Sequence, residues 1–344
     1  MQIQNNAQLR PYHTFGIDQQ CHVLVEVHSV EDLIAVYQRQ EWLALPKLML
    51  GKGSNMLFTT PFEGVVIINR LRGIDVSETD GQYHLHVSGG EDWPSLVEWC
   101  VEHNYAGIEN LALIPGCSGS APIQNIGAYG IELKDVCSYV DYLCLETFEV
   151  KRLTREACLF SYRDSIFKHQ LKDKAIVTAI GLALDKKWQP NLSYGPLQSL
   201  DPTTATPKAV FDIVVRVRQE KLPDPKVTGN AGSFFKNPII SLEQYDVLKA
   251  QFEALVAYPA NEGMKLAAGW LIDQCGLKGH QIGGAMVHPN QALVLVNHSE
   301  ARAQDIVELA AFVRQSVLDK FCVELEHEVR FMGAQHEVYL KDLL

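Results

Sequence analysis

Gly107-Ile-Glu-Asn-Leu-Ala-Leu-Ile-Pro-Gly116-Cys-Ser-Gly-Ser-Ala-Pro-Ile-Gln-Asn-Ile-Gly127-Ala-Tyr-Gly-Ile-Glu-Leu133 fits neither an ordinary helix nor an ordinary strand: it holds five glycines and no Lys or Arg. The small residues at 116–121 free the backbone for unusual φ/ψ and let main-chain N–H groups come close to a ligand, one way to bind an anion without cationic side chains. A diphosphate suits such a loop. A Gly/Ser/Pro-rich surface connection uses the same residues. Against a surface connection stand Ile108, Leu111, Leu113, Ile114, Ile123, Ile126 and Tyr129. They predict a buried segment, whose backbone polar groups need partners that a bound cofactor can partly supply.

Upstream, Val23, Val25 and Val27 alternate within Cys21–His28, and Val30–Arg39 has helical spacing. Lys47–Leu50 then runs into Gly51-Lys52-Gly53-Ser54-Asn55, a second glycine turn followed by strand-like Met56–Phe58 and Val65–Asn69. The third glycine of a dinucleotide fingerprint is missing and a strand follows the turn, so neither a Rossmann nor a Walker A site is read here. Tyr83–Val87 reads as a strand and Trp93–His103 as a helix capped by Asp92, leading directly into the opening stretch. Downstream, Val136–Leu145 and Phe148–Leu153 read as a hairpin, and Ala175–Leu184 as a strand. The mixture is α+β, because strands and helices do not alternate regularly enough for a doubly wound sheet.

Phe160-Ser-Tyr-Arg-Asp-Ser165 is a polar cluster on an apolar background. It is either a turn with an Arg163–Asp164 surface pair or an arginine set for a carboxylate or phosphate. Lys208–Glu220 reads as a helix stopped by Pro223 and Pro225, where a domain boundary is expected. The small-residue loop Gly229–Pro238 follows and is read as entering a strand, then helices over 242–252 and 265–275 and strands over 285–288 and 292–297. A long helix capped by Ser299 carries Ile306, Leu309, Ala310, Val313, Val317 and Phe321 on one stripe, and Cys322–Met332 closes the pattern as a strand. Glu324, Glu326 and Glu328 share one side of that last segment.

The 344 residues exceed the usual size of a single core, so two or three domains are expected. A net charge of −11, with no basic run to offset it, argues against general nucleic-acid binding. Met1–Gln8 is polar and no run approaches the length of a membrane span, so a cytoplasmic protein is expected. The eight cysteines show no CxxC pair, the twelve histidines no ligand spacing, and no metal is assigned.

Taken jointly and in order, several motifs resemble the UDP-N-acetylenolpyruvoylglucosamine reductase family over nearly the whole chain. They are Thr14-Phe-Gly16, Gly53-Ser-Asn55, Leu113-Ile-Pro-Gly116 with Gln124-Asn-Ile-Gly-Ala-Tyr-Gly130, Tyr162-Arg-Asp-Ser165, Lys221-Leu-Pro223, Gly232-Ser-Phe-Phe-Lys-Asn-Pro238 and Glu328-Val-Arg-Phe331. The resemblance implies a two-subdomain FAD-binding fold of the vanillyl-alcohol-oxidase type plus a third α+β substrate-binding domain. The expected bounds are 1–69, 70–222 and 223–321, with a C-terminal strand in 322–344 returning to the second segment. Non-covalent FAD is implied, with Gly51, Gly53, Ser54, Asn55, Pro115, Gly116, Ser118, Gly119, Ser120, Gln124, Asn125, Gly127, Ala128 and Tyr129 as its cradle. NADPH would reduce the flavin, leave, and be replaced by UDP-N-acetylglucosamine enolpyruvate.

That chemistry needs an acid, a clamp on the enolpyruvyl carboxylate and a lid. The family pattern assigns the acid to Ser233 and the carboxylate partners to Arg163 and Glu328. Tyr162, Tyr194, Lys221, Asn237 and Gln291 carry over to the substrate site, Tyr194 on the excursion that marks the family's long form with a tyrosine loop. A monomer is expected. His13, Lys52 and His327 depart from the commoner family pattern. Two rivals remain at this level: another flavin oxidoreductase on the same fold, and a flavin-free nucleotide-sugar binding protein.

Overall fold

The structure is a computed structural model that describes residues 1–260 and 262–344. The chain divides into two compact units. Met1–Asn5, Val23–Lys52 and Val65–Glu220 form the first; Asn6–His22, Gly53–Gly64 and Lys221–Leu344 form the second.

In the first unit, the alternating valines build the strand Gln20–Val27 of a four-stranded sheet, in the order Gln2–Gln8, Gln20–Val27, Phe62–Asn69, Lys47–Leu50. Val23, Val25, Val27, Val65 and Ile67 pack on Leu33 and Val36 of the helix Val30–Gln38, whose N-cap Ser29 accepts the Asp32 N–H. A second, five-stranded antiparallel sheet is ordered Val150–Thr154, Cys137–Cys144, Ala175–Asp185, Gln82–Ser88, Ile74–Glu78. Its apolar face covers the helix Trp93–Glu102 and the opening stretch, with Trp93, Leu96, Val97, Ile108, Leu111, Ala121 and Ile126 all buried in one core. Asp92 caps that helix by accepting the Ser95 N–H at 3.1 Å. The helix Pro207–Lys221 adds Val210 and Val214 to this core.

In the second unit, the stripe on the long helix Ala303–Phe321 is the core: Ile306, Leu309, Ala310, Val313, Val317 and Phe321 are at most 2% exposed. Burying each of the larger aliphatic side chains contributes about 1.5–3 kcal/mol. Around the stripe lie Ala285, Val287 and Leu295 of a four-stranded sheet, and Leu271 and Ile272 of the helix Ala268–Gln274. Phe15, Leu57, Phe234, Phe235 and Phe331 join the same core.

Several elements differ from the sequence reading. The strand read over 322–332 is Arg330–Met332; it pairs in parallel with Met56–Phe58 and antiparallel with Glu337–Val338, so it does not return to a strand of 70–222. Residues 323–326 lie outside any strand. Their alternation still holds, with Val323 and Leu325 buried and Glu326 paired with Lys236. The long helix begins after Arg302 and not Ser299, because the Asp305 carboxylate accepts the Arg302 and Gly284 N–H groups at 3.0 and 3.2 Å and closes the first turn. Residues 263–266 pair with Ala257–Ala260, which delays the next helix to Ala268. The polar connection read between 252 and 265 includes Asn261, which lies outside the described residues. No helix among the described residues is long and apolar enough to cross a membrane.

Candidate active site

The opening stretch is a folded object with two parts. Its first part packs backbone against backbone. Trp93 N–H donates to Gly116 O at 3.1 Å, Ser118 N–H to Glu91 O at 2.9 Å and Gly119 N–H to Gly89 O at 2.8 Å. A Cβ on Gly119 would lie 2.8 Å from Gly89 O, and one on Gly51 2.7 Å from Cys117 Sγ. Three glycine turns, at 51, 89–90 and 119, therefore meet where no side chain fits. Lys52 is tied to the same place by its ion pair with Asp92 at 2.9 Å. The Gly89-Gly90 pair, which the sequence reading passed over, is legible as a glycine dipeptide just ahead of the Asp92 cap.

The second part is a hairpin, Gly127–Ala128 against Ile131–Glu132, with Tyr129 and Gly130 both at positive φ (50° and 84°) in its two-residue turn. Turns of that hand suit a hairpin's twist, and Gly130 meets the requirement without strain. Buried Asn125 supports the hairpin: its Nδ2 donates to Glu132 Oε2 and Ser161 O, and its Oδ1 accepts the Lys134 N–H.

The Tyr162–Ser165 motif is stitched to this hairpin. Arg163, at φ +55°, donates from Nη2 to Gly127 O at 3.0 Å, and the buried Ser165 hydroxyl donates to Ile123 O at 2.7 Å. The Asp164 carboxylate takes His169 at 2.7 Å. Arg163 is thus aimed along the loop that the sequence assigned to the cofactor alone.

The expectation that main-chain N–H groups of the loop bind an anion is narrowed. Those of 117–121 all donate to protein acceptors, Cys117 to Ser120 Oγ, Ser120 and Ala121 to Cys117 O, Ser118 and Gly119 as above. A buried cation lies elsewhere in the unit: Arg218, on the helix Pro207–Lys221, has its Nε buried without a hydrogen-bond partner among the described residues. Burial pushes its pKa down, while the Tyr129 phenol acts the other way. Nothing in the sequence distinguishes Arg218 from Arg216, since both lie in one amphipathic helix. One feature of the residues present fits FAD: among the described residues Arg218 Nε is a buried donor without an acceptor, as a group that receives a cofactor oxygen would be.

Buried polar residues of the stretch also escaped the sequence reading. Glu109, 2% exposed, accepts the Gly107 N–H and the Trp188 indole N–H, both at 2.7 Å. Burial pushes its carboxyl up, and those donors partly oppose the shift. Tyr162 is half-buried and Tyr194 is 53% exposed.

The second unit collects five further motifs. Thr14 N–H donates to Gly53 O at 3.1 Å and Asn230 N–H to Thr14 O at 3.0 Å. Asn55 Nδ2 donates to Glu328 O at 3.2 Å, and Arg330 N–H to Asn55 O at 3.1 Å. Asn55 is therefore a staple between two motifs. Ser54 is half-buried in the same turn. Ser233 is exposed, but buried Phe234 and Phe235 pin it, and Phe234 O accepts the Glu328 N–H at 2.8 Å. The predicted acid and the predicted glutamate thus stand on directly bonded segments. Asn237 and Gln291 line one cleft of about 330 Å³ with Trp270, Asp273, Lys278 and Asn290. Asn237 Oδ1 also caps the next helix by accepting the Ala268 N–H at 2.9 Å. Lys221 is exposed at the start of this unit.

Known proteins resemble both parts of the chain. A family model for the C-terminal domain of UDP-N-acetylenolpyruvoylglucosamine reductase matches residues 224–332, and one for an FAD binding domain matches residues 21–151. The chain is 61% identical over 341 residues to UDP-N-acetylenolpyruvoylglucosamine reductase of Vibrio cholerae, covering 99% of this chain and 98% of that one. To the enzyme of that name from Escherichia coli it is 53% identical over 334 residues, covering 97% and 98%. The crystal structure of the reductase from Thermus caldophilus matches with a TM-score of 0.68 at 24% identity, covering 96% of this chain and 99% of that chain, which speaks to the fold. With identity above half along nearly its entire length, the chain belongs to the UDP-N-acetylenolpyruvoylglucosamine reductase family.

Proposed function

We infer that the chain reduces UDP-N-acetylglucosamine enolpyruvate to UDP-N-acetylmuramate in peptidoglycan precursor synthesis, with non-covalent FAD as carrier and NADPH as reductant. The observation that carries this reading is the direct bonding of the Ser233 loop to the Glu328 segment, in a chain 61% identical to a reductase of that name.

Bound FAD would supply the hydride-transfer chemistry between NADPH and the terminal carbon of the enolpyruvyl group. The chain's own residues do the rest. The glycine turns at 51, 89–90 and 119, packed on one another, shape the wall on which the cofactor would lie, with Gly53, Ser54, Pro115, Gly116, Ser118, Ser120, Gln124, Ala128 and Tyr129 completing the cofactor's surroundings. Arg163 and Glu328 hold the enolpyruvyl carboxylate, where negative charge builds as hydride arrives. The Ser233 hydroxyl gives its proton to the adjacent carbon. A serine is a weak acid, so it serves because the carbanion is strongly basic and because its neighbours can restore the proton. Lys221 complements a substrate phosphate, Tyr162 and Tyr194 stand over the substrate, and Asn237 and Gln291 recognise the nucleotide sugar from their shared cleft.

The FAD-holding part and the substrate-binding part are proposed to meet near Pro223, between the residues matched by the two family models. A cytoplasmic monomer of the long form, its Tyr194 loop folding over substrate, completes the reading. Anaerobic stopped-flow absorbance tests it. Ser233→Ala should leave flavin reduction by NADPH fast and slow the substrate-dependent reoxidation by about 10²-fold or more. Reoxidation at the wild-type rate would remove Ser233 as the acid, and purified protein that stays colourless with FAD would remove the enzyme reading.

A further inference from the structure

The excursion after the strand Ala175–Asp185 is fastened to the opening stretch by buried polar groups. Trp188 is held by Glu109. Asn110, 1% exposed, donates from Nδ2 to the Tyr129 carbonyl at 2.9 Å and to the Asn191 carbonyl at 3.0 Å. Asn191 donates from its own Nδ2 to Gly130 O at 2.9 Å, while its Oδ1 accepts the Ser193 N–H at 3.2 Å and the Ser193 hydroxyl at 2.7 Å. Tyr129 and Gly130 are the two turn residues of the hairpin, so both turn carbonyls are committed to this pair of asparagines. A Cβ on Gly130 would touch Asn191 and Ser193 at 3.1–3.2 Å. The next residue, Tyr194, sets its ring edge-on against Tyr129, with centroids 5.5 Å apart at 85°.

A planar amide side chain can donate and accept at once in fixed directions, and losing it would leave a turn carbonyl short of a partner. Tyr194 has little packing of its own, being half exposed. Its position is therefore inherited from the bracket below it.

We propose that Asn110 and Asn191 are positioning residues that fix Tyr194 against the cofactor hairpin, and that affinity for the nucleotide-sugar substrate depends on them through Tyr194. This rests on the reading of Tyr194 as the tyrosine over the substrate. Without the bracket the Tyr194 segment samples several conformations, and substrate must select one, which raises the apparent KM by the inverse of that fraction.

The test uses the flavin-loaded enzyme and steady-state kinetics with the enolpyruvyl nucleotide sugar at saturating NADPH, in wild type, Asn191→Ala, Tyr194→Ala and the double variant. Asn191→Ala should raise KM about tenfold with a much smaller change in kcat, and should change KM less than about twofold when Tyr194 is already Ala. An unchanged KM in Asn191→Ala, or the same rise in both backgrounds, overturns the proposal. Should Asn191→Ala fail to retain flavin, Asn191→Asp keeps an acceptor for Ser193, replaces the donor to Gly130 O by a charged carboxylate oxygen that cannot make that bond, and allows the same comparison. A wild-type enzyme that binds flavin yet does not turn over the enolpyruvyl substrate would sink the functional reading itself, an outcome distinct from loss of the coupling.

Discussion

At the residue scale, Gly51 and Gly119 make the same demand for space on different neighbours. A Cβ at Gly51 would face the Cys117 sulfur, a side chain that can be trimmed, whereas one at Gly119 would face the Gly89 backbone. Gly51→Ala is expected to cost about 1–3 kcal/mol by overpacking and to lower flavin content. Cys117→Ala should restore both, and Gly119→Ala should have no such rescue, because main chain cannot yield without breaking the Gly119–Gly89 hydrogen bond. Thermal melts with flavin absorbance on the four variants check this, and an equal rescue at both sites would refute it. The candidate residues were legible as short motifs. Asn110, Asn191 and Arg218 were not, because an asparagine or arginine acquires its role only from what it faces, and those partners lie 19 or more residues away.

At the element scale, the long helix shows how a local charge holds a terminus. The Asp305 carboxyl sits below the usual range although burial works against its charge, because the Arg302 and Gly284 N–H groups and the Arg302 guanidinium together outweigh that cost. A depressed folded-state pKa means that its stabilisation is present above the ordinary carboxylate pKa and is lost as pH falls through the folded value. Asp305→Ala should therefore cost about 1–3 kcal/mol at pH 7, and the gap to wild type should shrink as pH falls below about 4. Urea midpoints across that range decide it; a gap constant with pH would mean that the carboxylate charge is irrelevant. The stripe on this helix was readable from 3.6-residue spacing. The strand Gln2–Gln8, exposed at all but one position, and the pairing of Ala257–Ala260 with Gly263–Leu266 were not, because pairing through backbone hydrogen bonds leaves no apolar pattern.

At the scale of the whole molecule, each unit has its own core, and the opening stretch lies wholly inside the first. Ligand that binds only the folded state stabilises it by mass action, by about 2.7 kcal/mol at a hundredfold excess over Kd. Removing FAD should therefore lower the melting temperature and speed amide hydrogen exchange at 89–90 and 107–133; equal exchange in these segments with and without FAD would place the cofactor elsewhere. The sequence by itself determined the α+β class, the buried character of Gly107–Leu133, the helix stripes and the catalytic candidates, because periodicity, turn chemistry and motif order are properties of neighbouring residues. Tertiary structure alone decided that the C-terminal strand pairs with Met56–Phe58, that Ser233 and Glu328 stand on bonded segments, and that N–H groups 117–121 are already spent on protein acceptors. Those facts depend on which distant backbone groups meet, and a hydrogen bond between segments far apart in the chain leaves no trace in local composition.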